Sequence, residues 1–148
     1  MVLLAVLAGC DTVPRQVLPY VMSDGAGGTD LYLYDLENGS STQLTRTPKY
    51  REYDPAVDPD GKRIVYIAEK MKGQSPSKEQ SLYELTVYDL ETGDDFEYTS
   101  FSARIFSPVW SNDGDSVAYV VERDGKLQID VRDLTVQGKA ATTIGFGS

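Results

Sequence analysis

The aspartates are the side chains of this sequence whose spacing first suggests chemistry. Asp58 with Asp60, and Asp113 with Asp115, lie around two Asp-Gly turns, and paired carboxylates can bind Ca²⁺ or hydrolyse glycosides. Two carboxylates on a tight turn are too few for a calcium site, and a catalytic pair is needed only once, whereas these recur. A further set recurs at one position before a turn: Asp35, Asp89 and Asp133. We therefore predict that these carboxylates accept backbone N–H hydrogen bonds and support the fold.

Other residue counts exclude several function classes. The chain has 148 residues and no histidine, which excludes histidine-based triads and histidine metal sites. A single cysteine excludes an intrachain disulfide and any multi-cysteine metal site. With 23 acidic and 14 basic residues the formal charge is −9, so a nucleic-acid backbone would be repelled. We expect a protein that is not an enzyme, with no cofactor, no metal and no nucleic-acid partner.

Two short segments combine basic and aromatic residues within this acidic chain. They are residues 46–53, Arg-Thr-Pro-Lys-Tyr-Arg-Glu-Tyr, and residues 100–106, Ser-Phe-Ser-Ala-Arg-Ile-Phe. Arginine and aromatic side chains are enriched at binding hot spots. They could equally serve packing between structural units, and the sequence leaves both interpretations open. The candidate binding residues are Arg46, Lys49, Tyr50, Arg51, Tyr53, Phe101, Arg104 and Phe106.

The first ten residues have a distinct composition. Val2 to Ala8 are all apolar, and Leu7-Ala8-Gly9-Cys10 precedes a polar stretch. This resembles the lipobox of bacterial lipoproteins, and the resemblance implies a signal peptide over residues 1–9, a lipidated Cys10 and a linker over residues 10–16. The sequence departs from that pattern because no Lys or Arg precedes the apolar run. The alternative is that this run is a buried first strand.

Internal repeats indicate the architecture. Residues 55–69 align without gaps on residues 108–122, with Pro, Asp-Gly, Tyr and Glu in common. A second element occurs three times, at residues 31–39, 85–93 and 129–138, and combines alternating apolar residues with Asp-Leu and a glycine-ended turn. Both elements have the pattern of β-strands. The order predicts an all-β fold: a partial β-propeller of about three four-stranded antiparallel blades, over residues 17–45, 54–99 and 107–144. The first blade contributes only about three strands.

The repeats resemble those of TolB-type periplasmic propellers. The resemblance is carried by residues 58–66 (Asp-Pro-Asp-Gly-Lys-Arg-Ile-Val-Tyr), by Trp110-Ser-Asn-Asp-Gly114, by Leu-Tyr-Leu-Tyr-Asp-Leu and by Gln43-Leu44-Thr45. It implies that residues 17–148 are TolB-like repeats. It also implies an adaptor that binds envelope proteins. The second repeat has an insertion over residues 70–81, which is either a flexible hairpin tip or a partner contact.

We therefore expect a non-catalytic lipoprotein of the bacterial envelope, facing the periplasm or the cell surface, whose propeller binds a protein or a glycan. Three blades are too few to close a ring, so the chain is part of a longer one or associates as a homo-oligomer. The enzymatic alternative is a propeller belonging to a prolyl-oligopeptidase-type serine peptidase. The chain has no Gly-x-Ser-x-Gly elbow, so such activity would lie outside it.

Overall fold

The computed structural model of the protein describes residues 16–71, 81–136, 138 and 140–145, which form strands and turns with no helix among them. No membrane-spanning helix is found in this part of the chain. The predicted all-β class is confirmed. The strands are β1 (Val17–Ser23), β2 (Thr29–Asp35), β3 (Ser40–Gln43), β4 (Tyr50–Val57), β5 (Arg63–Lys70), β6 (Leu82–Asp89), β7 (Asp95–Phe101), β8 (Arg104–Trp110), β9 (Ser116–Arg123), β10 (Lys126–Asp133) and β11 (Thr142–Ile144).

The strands form three antiparallel units, which we call blades 1, 2 and 3. Blade 1 contains β1, β2 and β3, blade 2 contains β4 to β7, and blade 3 contains β8 to β11. Within each blade, consecutive strands pair with each other, as expected when short turns connect them. Blades 1 and 2 are also joined by one parallel pair, Thr29 with Arg51. The blades thus follow one another in chain order, with β4 and β8 as the first strands of blades 2 and 3.

The recurring aspartates support turns, as the sequence predicts. The Oδ1 atom of Asp35 accepts hydrogen bonds from the backbone N–H groups of Glu37 and Asn38 at 2.9 and 3.2 Å. Asp89 repeats this arrangement with residues 91 and 92 at 2.8 and 3.0 Å, and Asp133 with residue 135 at 2.9 Å. These carboxylates satisfy N–H groups that the strand ladder leaves free.

The turn that precedes β5 is built in a related way. Asp58 accepts the backbone N–H groups of Lys62 and Arg63 at 2.8 and 3.1 Å, and Gly61 has a φ of 70°. The equivalent Gly114 before β9 has a φ of 72°. A Cβ atom at Gly114 would also lie 2.9 Å from the Nη2 atom of Arg63. The positive φ therefore favours glycine there, and the Arg63 guanidinium would have to move to admit a Cβ atom.

A bulge interrupts the first strand of blade 2 and that of blade 3 at the same place. The register shifts between Tyr53 and Ala56 in β4, and between Phe106 and Val109 in β8. Asp54 and Ser107 occupy these bulges with φ values of 51° and 53°, which is uncommon for residues other than glycine. The Ser107 N–H donates to Asp54 Oδ2 at 2.8 Å, so the two bulges are hydrogen-bonded to each other across the blades.

Two apolar clusters hold the blades together. The first, between blades 1 and 2, consists of Val17, Leu31, Leu33, Ile64, Tyr66 and Ala68. The second, between blades 2 and 3, consists of Val65, Ile67, Leu85, Val87, Ile105, Val117, Tyr119 and Val121. Successive residues of β5 contribute to opposite clusters because side chains alternate across a strand. This explains the nearly continuous apolar run of β5: blade 2 is covered on both faces.

Candidate interaction surface

The eight candidate binding residues lie in or close to the segments that join one blade to the next. We call this the connection end of the blades, and it includes residues 44–49 between β3 and β4 and residues 102–103 between β7 and β8. The strands extend further into these segments than the repeat pattern indicates. Tyr53 pairs with Ile67, and Arg104 with Glu122. Only Arg46 and Lys49 therefore lie in a connecting segment, and the other six are strand residues.

The cationic members of this set are exposed. Arg46, Lys49, Arg51 and Arg104 all lie at the surface. Arg51 forms an ion pair with Glu69 at 3.4 Å. The Arg104 guanidinium lies 5.3 Å from the centre of the Phe106 ring, a cation–π arrangement that holds the side chain in place. Arg46, Lys49 and Arg104 form no ion pair with any residue that the structure describes. Their charges therefore face solvent.

The aromatic members are half-buried, and Tyr53 and Phe101 pack between blades 2 and 3. The Tyr53 hydroxyl donates a hydrogen bond to the carbonyl of Ile105 at 3.1 Å, and burial raises the pKa of Tyr53 well above its usual value. The phenol therefore stays protonated and remains a donor. The Phe101 ring lies 6.2 Å from that of Tyr119 in a tilted arrangement. Tyr53 and Phe101 thus contact the neighbouring blade, whereas the cations are exposed. The use of these segments in binding stays a prediction.

Tyr50 differs from the other candidates because it lines an acidic cavity. The cavity has a volume of about 180 Å³ and lies on the face of blade 2 that is directed at blade 1. Its lining residues are Thr47, Tyr50, Glu52, Tyr66, Ala68, Glu84, Thr86, Asp95 and Glu97. The Lys70 Nζ atom lies 5.9 Å from the centre of the Tyr50 ring, and the role of Tyr50 in binding stays a prediction.

Glu52 is the most deeply buried carboxylate of this cavity, at 1% exposure. Burial raises its pKa, although hydrogen bonds donated by the hydroxyls of Thr45 and Thr47 oppose the shift. Burial and the neighbouring Glu97 raise the pKa of Glu84 in the same way. Burial in a low-dielectric surrounding thus favours the protonated forms of Glu52 and Glu84. No three acidic residues in the described part of the chain are placed to hold a metal ion together.

None of the acidic residues of this cavity is among the candidates predicted from the sequence, although the sequence carries a signal for them. Glu84 and Thr86 are two residues apart on β6, and Asp95 and Glu97 are two apart on β7. Residues with this spacing share one face of a sheet. Polar residues at alternating positions of two paired strands could therefore have indicated a polar patch inside the blade stack.

Arg63 joins the turn of blade 2 to blade 3. Its Nε atom donates to Asp58 Oδ2 at 2.8 Å, and its Nη2 atom donates to the carbonyl of Gly114 at 2.7 Å. Its guanidinium carbon lies 4.7 Å from the centre of the Trp110 ring. The Trp110 Nε1 atom in turn donates to the carbonyl of Ala56 at 2.9 Å. Trp110 is half-buried and contacts the preceding blade as well as its own.

Two predicted features lie outside the described residues. One is the N-terminal segment with Cys10 and the linker as far as residue 15, and the other is most of the insertion, residues 72–80. The lipid anchor and the insertion contact therefore remain predictions.

Comparison with known proteins gives relatives of one architecture. No protein-family model matches the chain. Tol-Pal system protein TolB of Pasteurella multocida is 36% identical over 139 residues, covering 85% of this chain and 29% of the relative. The uncharacterized peptidase YuxL of Bacillus subtilis is 27% identical over 109 residues, covering 74% of this chain and 15% of that protein. The crystal structure of TolB from Acinetobacter baumannii has a TM-score of 0.67 at 22% identity, covering 87% of this chain and 30% of that one.

These matches cover most of this chain but only a small part of each relative. The chain spans less than a third of each of these three proteins. The superposition on TolB of Acinetobacter baumannii covers 87% of this chain. With the sequence similarity to TolB of Pasteurella multocida, the described strands are blades of a TolB-like β-propeller.

Proposed function

We propose that this chain is a non-catalytic binding module that contacts another protein of the bacterial envelope through its connection end. The observation that carries the proposal is the placement of Arg46, Lys49 and Arg104, which are exposed and form no ion pair with described residues. The similarity to TolB supports an envelope partner, since the name of that relative assigns it to the Tol-Pal system. The absence of histidine removes the usual general base of a hydrolase.

The charge distribution supports a protein partner with an acidic contact patch. The whole chain carries a formal charge of −9, so exposed cations at one end form a local exception. A local positive charge of this kind orients an approaching partner and disfavours partners that lack a complementary charge. Arg104 is suited to this role because its contact with Phe106 limits the side-chain freedom that binding would otherwise remove.

A partner-binding assay tests this surface. The candidate partner is the purified Pal component of the organism's own Tol-Pal system, immobilised and titrated with the 148-residue chain. We expect the double variant Arg46→Ala/Arg104→Ala to bind about 10- to 100-fold more weakly, because each hot-spot arginine contributes about 1–2 kcal/mol. Lys62→Ala is the matched control, since Lys62 is exposed and lies in the turn before β5, at the opposite end of the blades.

The outcome also distinguishes a protein ligand of this surface from a glycan ligand. Equal binding by the double variant and the wild-type chain would contradict the proposed surface. If the wild-type chain ignores Pal but sediments with purified peptidoglycan, and the double variant does not, the ligand of this surface is a glycan.

In the same proposal, acylation of Cys10 holds the module at a membrane facing the periplasm or the cell surface. The support is the Leu-Ala-Gly-Cys motif at residues 7–10, together with the acyl chains' capacity to bind a bilayer. We expect the wild-type chain in the membrane fraction of lysed cells and a Cys10→Ser variant in the soluble fraction. A Cys10→Ser variant that stays with the membranes would show that another feature attaches the chain.

A second function is favoured by the relative YuxL, which is named a peptidase. In that case the blades would belong to a peptidase and restrict access to a separate catalytic domain. Sequencing the gene on both sides of this segment decides between the two functions, because a hydrolase domain with a Gly-x-Ser-x-Gly elbow would be encoded beside it.

A further inference from the structure

The acidic cavity between blades 1 and 2 lies where apolar side chains fill the next interface. Glu52 of β4 pairs with Ala68 of β5, and at the equivalent place in blade 3 Ile105 pairs with Val121. Ile105 and Val121 are both 0% exposed and belong to the apolar cluster between blades 2 and 3. A carboxylate and a methyl group thus stand where blade 3 has two branched aliphatic side chains, and the smaller Ala68 leaves space above the sheet.

A buried hydroxyl group in this cavity has no partner in the described part of the chain. Thr86 lines the cavity at 5% exposure, on the same face of β6 as Glu84. Its hydroxyl makes no hydrogen bond with any residue that the structure describes. Buried hydroxyls are hydrogen-bonded in most proteins, so a molecule held in the cavity would supply the partner that Thr86 lacks.

The carboxylates of the cavity lack counter-charges as well. None of its four acidic side chains forms an ion pair with a described residue. The charge of Lys70 acts on Glu84 from a distance, while its Nζ atom lies over the Tyr50 ring. An ammonium group of the chain itself thus already contacts an aromatic ring of this cavity. A further cation would favour the ionised forms of the carboxylates.

The arrangement of these groups favours an organic cation over a metal ion. Glu52 is buried whereas Asp95 and Glu97 are exposed, so the cavity has a closed end and an open mouth. No three acidic residues in the described ranges converge on one point, as a metal ion would need. One water molecule requires about 10–15 Å³, so a volume of about 180 Å³ admits a small organic molecule. Negative charges at both ends match a short chain with an ammonium group at each end.

We propose that this cavity binds a small aliphatic diamine. One ammonium group lies at the closed end, where it donates a hydrogen bond to the Thr86 hydroxyl and neutralises Glu84. The other lies at the mouth beside Asp95 and Glu97, and the methylene chain contacts the Tyr66 ring. The inference does not depend on the proposed connection-end partner.

Isothermal titration calorimetry of the 148-residue chain with 1,4-diaminobutane tests this site. We expect saturable binding of one diamine per chain, and no binding of 1,4-butanediol, which has the same carbon chain without charge. Thr86→Val keeps the shape of the side chain and removes its hydroxyl, so binding should weaken about 10-fold. Glu84→Gln should weaken it at least as much. Glu122→Gln is the matched control and should bind like the wild type, because Glu122 is exposed on β9 and does not line the cavity.

Ala68→Val distinguishes the cavity from general attraction to an acidic protein. It introduces the residue that blade 3 has at this place, fills the space and leaves the formal charge of −9 unchanged. We expect it to abolish binding while the circular dichroism spectrum stays that of the wild type; if it does not fold, Thr86→Val decides alone. A wild-type chain that shows no saturable binding would overturn the proposal. Binding by Thr86→Val or by folded Ala68→Val that equals the wild type would also overturn it, since the diamine would then bind elsewhere.

Discussion

Replacing Tyr66 by alanine is expected to lower the free energy of unfolding by about 3–5 kcal/mol, the range for removing a buried aromatic side chain. Tyr66 is 2% exposed and lies in the cluster that joins blades 1 and 2. Its ring also borders the acidic cavity, so truncation would enlarge a polar space and expose apolar neighbours to water. Denaturant unfolding followed by circular dichroism measures the change.

Two further variants identify the physical cause. Tyr66→Phe removes only the hydroxyl, whose hydrogen bond to Asp95 is long at 3.5 Å, and should cost less than about 1 kcal/mol. Phe96→Ala removes a ring of similar size that is 50% exposed, and should also cost about 1 kcal/mol or less. If Tyr66→Phe destabilises the chain as much as Tyr66→Ala, the polar contact, and not packing, would dominate.

Replacing Arg63 by alanine is expected to cost about 2–3 kcal/mol, since it leaves a buried carboxylate without its cation. The Asp58 side chain is 1% exposed and Arg63 donates to it at 2.8 Å. The Arg63 side chain is 32% exposed, so solvent screening keeps the cost below that of a fully buried pair. The same change removes the hydrogen bond to Gly114 and the contact with Trp110, both in blade 3.

Trp110 reports on this contact directly because it is the chain's one tryptophan. We expect the fluorescence of Arg63→Ala to shift in the native state, and its unfolding midpoint to fall. Arg63→Lys should recover little, since an ammonium group cannot reach both acceptors and stack on the indole at once. Lys62→Ala should change stability by less than about 0.5 kcal/mol. An Arg63→Ala variant as stable as the Lys62→Ala control would show that the arginine contributes nothing to holding the blades together.

Local elements of this fold are readable from the chain because they depend on residues close in sequence. The Asp-Gly pairs of the turns before β5 and β9 predict positive φ, which Gly61 and Gly114 adopt. The aspartate before each glycine-ended turn predicts the hydrogen bonds that Asp35 and Asp89 accept. In each case the partner atoms lie within five residues, so pattern and structure are set by the same short segment.

The connection end was predicted less completely. The predicted blades 2 and 3 begin at residues 54 and 107, next to the prolines at positions 55 and 108. A bulge instead accommodates each proline within a strand and lets β4 begin at Tyr50 and β8 at Arg104. The spacing of the repeats could not show these strand starts. The residues before each proline belong to the strand only through their hydrogen bonds to the next strand.

Sequence alone determined the architecture of this protein, since a period of about 53 residues with turn residues at fixed places has few solutions other than stacked antiparallel blades. Tertiary structure decided which side chains meet. Three strands of one blade bring Glu52, Glu84, Asp95 and Glu97 around one cavity, and Arg63 reaches Gly114 across the blade boundary. These contacts join residues far apart in the chain, and their distances follow from how each blade twists and packs on the next, which no local pattern records.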